Sequence, residues 1–182
     1  MGRRALALRH PKLRSHRINF TAPGELPAVD DVYIALGTTI KVAGSQPAFR
    51  AVDLDAVVAV ARAAHAAGAR RIGVISAMGA DPRSNVFYNR VKGEMEQAVR
   101  AIGFDRVVIA RPSMLDGDRE SLKQAGRPGE RLGLAVMSAL RPLIPANYQA
   151  ISARDVALSL IEAVNSRADG VHVLPSGQLQ RR

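Results

Sequence analysis

The chain has 182 residues, 47% apolar and 23% charged, which suits one globular domain and excludes a disordered or collagen-like chain. It has no cysteine, so a disulfide framework, a thiolate metal site and a cysteine nucleophile are all excluded. Its net charge of +10 is concentrated at the start, where residues 1–24 carry Arg3, Arg4, Arg9, Lys12, Arg14 and Arg17 and no acid.

Such a stretch attracts polyanions. No aromatic residues interleave with the bases, and no zinc-finger or RNP-like spacing occurs, so the pattern does not point to nucleic acid. No apolar run approaches the roughly 20 residues that span a bilayer. No apolar segment follows the first arginines, so a secretory signal is not indicated and the expected compartment is the cytoplasm.

Taken in chain order, His16–Phe20 reads as a short strand, and Asp31–Leu36 as a strand followed by a tight turn at Gly37-Thr38-Thr39. Phe49–Ala67, after Pro47, reads as a long helix closed by Gly68, its alanines and valines suited to close packing on a sheet. Arg71–Ser76 is a buried strand. Asn85–Ile102 is a helix whose apolar side holds Val91, Met95, Ala98, Val99 and Ile102, and it stops at Gly103. Arg106–Ala110 is a strand ended by Arg111-Pro112. A polar, glycine-rich stretch follows from Asp116 to Glu130, and then a short helix at Arg131–Leu140 and the breakers Pro142 and Pro145. Ala153–Asn165 is the last helix and Gly170–Leu174 the last strand. Alternating strands and helices predict an α/β fold with a parallel sheet, as one domain over residues 1–182 with a small substrate or lid region from about residue 116.

In such sheets ligands bind beyond the carboxyl ends of the strands. That rule selects Gly37–Thr39, Ser76–Gly79 and Arg111–Leu115. Twelve residues after Ser76 comes Tyr88, and four later Lys92, on the same face of one helix. These three residue types suit carbonyl reduction or alcohol oxidation: a serine hydroxyl polarises a carbonyl, a tyrosine moves the proton, and a lysine ammonium favours the phenolate. Ordinary explanations stand beside this one. Lys92 could pair with Glu96 one turn on, Tyr88 could be a half-buried helix residue, and Ser76 a small residue at a strand end.

The sequence resembles the short-chain dehydrogenase/reductase superfamily, and within it the atypical branch of the Tat-interacting protein 2-type oxidoreductases and their bacterial relatives. The resemblance rests on residues 35–45 (ALGTTIKVAGS), 51–55 (AVDLD), 74–81 (VISAMGAD), 87–94 (FYNRVKGE) and 110–113 (ARPS). It implies a Rossmann-like, doubly wound parallel sheet, with Ser76, Tyr88 and Lys92 as catalytic residues. It further implies that Leu36, Gly37, Thr38 and Thr39 line the cofactor, that Arg111, Pro112 and Ser113 lie beside the nicotinamide, and that Tyr88 and Lys92 also touch the cofactor. Arg3 and Arg4 match a basic pair that meets the adenosine ribose. A guanidinium fork there suits a 2′-phosphate, so NADP is the expected cofactor, with NAD left open. Asp53 stands where many relatives carry asparagine.

The family's opening strand and Gly-x-x-Gly-x-x-Gly turn, which cradle the pyrophosphate, have no counterpart here. The nearest spacing, Gly126, Gly129 and Gly133, falls in the polar stretch. The expectation is an N-terminally truncated sheet without the family's strands 1 and 2, through a start codon internal to a longer frame or a genuine relic. The leading function is an NAD(P)H-dependent oxidoreductase of a small carbonyl or alcohol substrate, inactive if the truncation is real. The alternatives are a non-catalytic, cofactor-sensing regulatory or scaffold protein, and an enzyme like the sugar-nucleotide epimerases and dehydratases. Oligomeric state stays open.

Overall fold

The computed structural model describes residues 10–116, 147 and 149–181. Their elements are, in order, β1 (Asp31–Ile34), α1 (Ile40–Ala43), α2 (Gln46–Arg50), a π-helical turn (Ala51–Ala56), α3 (Val57–Ala66), β2 (Arg71–Ile75), α4 (Phe87–Arg100) and β3 (Arg106–Arg111). Then come β4 (Leu115–Asp116), β5 (Ile151–Ser152), α5 (Ala153–Ser166), β6 (Gly170–Pro175) and α6 (Ser176–Leu179). Strands β1, β2, β3 and β6 form one parallel sheet in that spatial order, and β4 pairs with β5 in a small parallel ladder.

Successive side chains of a strand point to opposite faces, so a strand covered on both sides reads as continuously apolar. Strand β3 shows this directly. Val107 and Ile109 enter one core with Val57, Val60 and Ala61 of α3 and Val91, Met95 and Val99 of α4. Val108 and Ala110 enter a second core with Val156, Leu160 and Val164 of α5 and Leu174 of β6. Helices on both faces make the sheet doubly wound, as the sequence predicts.

Two predicted elements differ. No strand forms at His16–Phe20, where an isolated antiparallel bridge joins Asn19 to Ala22. An extended segment becomes a strand only beside a neighbour that takes its hydrogen bonds. Here Ile18 and Phe20 instead pack on the first core as loose side chains. The helix expected over Phe49–Ala67 begins earlier, at Gln46, because the Ser45 hydroxyl caps it by accepting from Ala48 N–H. It is also broken by the π-helical turn, which inserts an extra residue and brings Asp53 inside with Leu54 and Ala56. The polar stretch and possible lid at Asp116–Glu130 (beyond Asp116 itself) and the helix at Arg131–Leu140 lie outside the described residues, as do Arg3 and Arg4.

Helix α4 positions the site, and two contacts fix it. Gly93 lies against the loop before the helix: a Cβ there would stand 2.2 Å from Pro82 N and 2.3 Å from Asp81 C. One turn on, the buried Glu96 carboxylate accepts from Ser76 Oγ at 2.6 Å, from Arg111 Nε at 2.9 Å and Nη2 at 2.7 Å, and from Arg100 Nη2 at 3.2 Å. This cluster ties α4 to the carboxyl ends of β2 and β3. Alanine normally favours a helix by about 1 kcal/mol over glycine, yet Gly93→Ala is expected to destabilise the fold by about 2 kcal/mol or more, because backbone must move. Glu96→Ala strands the Ser76 hydroxyl and the Arg111 guanidinium and is expected to cost about 3 kcal/mol. Urea denaturation measures both, read as a lower midpoint at unchanged slope.

Candidate functional site

A cleft of about 890 Å³ opens beyond the carboxyl ends of β1, β2 and β3. After β1 its wall is Leu36, Gly37, Thr38 and Thr39; after β2, Ser76 through Gly79; after β3, Pro112 and Ser113; and from α4, Tyr88, Asn89 and Lys92. The three residues singled out as a catalytic trio therefore share one wall, with most of the residues expected to line the cofactor.

Arg111 does not join them. Its guanidinium forks onto both oxygens of Glu96, which raises its pKa, and it is not part of the cleft lining. A buried carboxylate at bidentate distance outcompetes solvent for a planar fork. The Arg111 side chain thus turns to Glu96, while Pro112 and Ser113 reach the cleft.

Ser76 is buried, and its single hydroxyl proton goes to Glu96. Because Arg111 also donates to that same oxygen, Oε1 acts as an acceptor and Ser76 as the donor. Toward the cleft the serine therefore presents lone pairs.

Lys92 is 4% exposed and lies with its Nζ 2.6 Å from Asp53 Oδ1. The pairing with Glu96 suggested by their four-residue spacing is not formed. Asp53 is 1% exposed, and its other oxygen accepts from the Thr38 backbone N–H at 2.8 Å. Gly37 stands beside this pair: a Cβ there would lie 3.4 Å from Asp53 Oδ1 and 3.9 Å from Lys92 Nζ. These are ordinary contact distances, with the Cβ direction facing the ion pair.

Tyr88 sits against Phe49, with ring centroids 5.6 Å apart. Burial, and then the Asp53 carboxylate, push its pKa above the ordinary tyrosine value. The lysine that would favour the phenolate is already neutralised by Asp53, so the expected stabilisation of a phenolate is not present in this arrangement.

Sequence reasoning flagged Asp53 without a role and Glu96 only as an alternative partner for Lys92. Acids set within the apolar runs at Ala51–Val60 and Val91–Val99 were the available signal. The π-helical turn that turns Asp53 inward has no sequence signature of its own.

A family profile described as NAD(P)H-binding matches residues 24–167. The Emericella nidulans protein named fmp52, mitochondrial, is 43% identical over 101 residues, covering 55% of this chain and 43% of that protein. Protein HTATIP2 of Rattus norvegicus is 41% identical over 100 residues, covering 55% of this chain and 39% of that protein. The chain thus spans well under half the length of these curated relatives. Among solved structures, MoeE5 in complex with UDP-glucuronic acid and NAD superposes with a TM-score of 0.64 at 19% identity, over 96% of this chain and 66% of that one. RMD from Pseudomonas aeruginosa complexed with NADPH gives 0.59 at 18% identity, over 94% and 70%. These two likenesses carry the fold.

The cytoplasmic expectation is overturned, because several relatives, in Emericella nidulans, Coccidioides immitis and Aspergillus niger among others, are named mitochondrial. Cysteine content and the lack of a long apolar run do not encode an address, which targeting segments carry. The match over residues 24–167, on a parallel sheet whose strand ends hold this cleft, makes the chain a member of the NAD(P)H-binding family, of the atypical short-chain dehydrogenase/reductase type.

Proposed function

We propose that this chain carries the proton-transfer half of an NAD(P)H-dependent oxidoreductase that reduces a small carbonyl compound or oxidises the matching alcohol. The observation that supports this most is the common cleft wall of Ser76, Tyr88 and Lys92 beyond the strand ends. The residues present fit a dinucleotide: the side-chain-free Gly37 beside buried Lys92, and the hydroxyls of Thr38 and Thr39 on the same wall. Bound there, the cofactor supplies or takes the hydride.

Tyr88, held protonated by burial, gives its phenolic proton to the carbonyl oxygen as negative charge builds on it. Lys92 places a cation at the same wall, where a ribose hydroxyl can be held. Ser76 accepts a hydrogen bond from a hydroxyl in the cleft, since its own proton is committed to Glu96. Arg3 and Arg4, by the resemblance, favour NADP over NAD. The exposed rim of Val42, Met78, Met114 and Leu115 suits a small apolar substrate better than a sugar nucleotide.

A cofactor-sensing role is the second reading. It is favoured by the internal pairing of the site's own groups, Lys92 with Asp53 and Ser76 with Glu96.

Tyr88→Phe separates the two. An enzyme loses about 10²-fold or more in kcat while NADPH affinity stays within about twofold; a sensor keeps its cofactor affinity and has no turnover to lose. Turnover is followed by NADPH absorbance with a panel of simple ketones and aldehydes, and unchanged turnover in the variant overturns the assignment of Tyr88. Among the described residues no glycine-rich phosphate turn follows a strand, so calorimetric titration of the chain with NADPH is expected to give weaker than micromolar affinity. Submicromolar binding would show that other groups replace that turn.

A further inference from the structure

We infer that Asp53 is a positioning residue of this cleft: its buried carboxylate holds the Lys92 ammonium on one oxygen and the turn after β1 on the other, and so cancels the lysine charge that the Tyr88 phenol would otherwise face. The inference rests on the reading of Tyr88 as the proton-transfer group and goes beyond it, because it assigns the site a resting protonation state and names the residue that sets it.

The geometry carries it. Asp53 Oδ1 lies 2.6 Å from Lys92 Nζ, and Oδ2 accepts from Thr38 N–H at 2.8 Å, so the carboxylate bridges α4 and the turn. Both charged side chains are almost fully enclosed, at 1% and 5% exposure. A buried ion pair gives little net stability, because removing two ions from water offsets most of their attraction. Its presence at the wall of a cleft, and not deep in either core, is therefore a statement about the cleft. The π-helical turn points the same way: it departs from regular α-helix over the six residues that bring Asp53 inward.

The groups around the phenol are few. Among the described residues lining the cleft, the titratable ones are Asp53 from the π-helical turn and Tyr88 and Lys92 from α4. Helix α2 offers the Phe49 ring to Tyr88, and its Arg50 is paired with Glu94. Ser76, just after strand β2, has its proton held by Glu96. With Asp53 and Lys92 cancelling, the cleft is neutral only while the phenol keeps its proton. The resting phenol therefore keeps its proton, the state that carbonyl reduction needs.

The test needs no substrate. In a Tyr33→Phe/Tyr148→Phe background, Tyr88 is the sole phenol, and its ionisation is read from tyrosinate absorbance against pH. Asp53→Asn keeps the shape but frees the lysine charge, and is expected to make the phenol about tenfold or more acidic. An unchanged or higher midpoint overturns the inference. Lys92→Met, which leaves Asp53 unopposed, is expected to move the midpoint the other way, and no movement there overturns it equally, including where Asp53→Asn fails to fold by circular dichroism. These readouts are independent of turnover. A full-activity Tyr88→Phe would sink the catalytic reading alone, whereas an Asp53→Asn midpoint equal to wild type would sink only this inference.

Discussion

Helix α4 carries two oppositely charged residues one turn apart, Lys92 and Glu96, and drives both into the interior at 4% and 2% exposure. On an exposed helix such a pair would meet, for a few tenths of a kcal/mol. Here each is drawn away by a partner from another element. Asp53 of the π-helical turn takes the lysine, and Ser76 just after β2 with Arg111 of β3 takes the glutamate. Burying an unpaired charge costs several kcal/mol, so the helix can sit at this depth only when the turn before α3 and the ends of both strands are in register with it. The placement of every group in the cleft follows from that requirement.

The same pairing gives the cleft its chemical character. The other two side chains of the trio, Lys92 and Ser76, are already engaged inside the protein, and the phenol is left as a half-buried, protonated group with the Asp53 carboxylate acting on it. A site of this kind keeps the phenolic proton in its resting state. It differs from an arrangement in which an uncompensated lysine holds a phenolate, although the residues are the same three.

Strand β1 stands at the border of the described sheet with cavities on either side of it. One, of about 360 Å³, is lined by Ile18, Phe20 and Val32, and the other, of about 290 Å³, by Ile34, Val156 and Leu160. Both lie beside a strand that pairs only with β2 among the described residues, and the second is almost wholly apolar. The matched segments cover 43% and 39% of the two relatives, and the parallel sheet contributes its strand ends to the cleft.

Much of this was legible in the residues. Continuous apolar runs at Arg71–Ile75 and Arg106–Ala110 are the mark of strands covered on both faces, and the three-four spacing of Val91, Met95 and Val99 is that of a helix lying on a sheet, so sequence alone determined the parallel α/β layering and where its strand ends fall. The i, i+4 step likewise put Tyr88 and Lys92 on one face. What the spacing could not determine was who meets whom. The partner of Lys92 depends on a π-helical turn thirty-nine positions earlier, and that of Arg111 on the depth of α4. Local periodicity reports which side of an element is buried. The choice among several buried charges is made by long-range packing, since desolvation rewards only the partner that the assembled tertiary structure brings within hydrogen-bond distance.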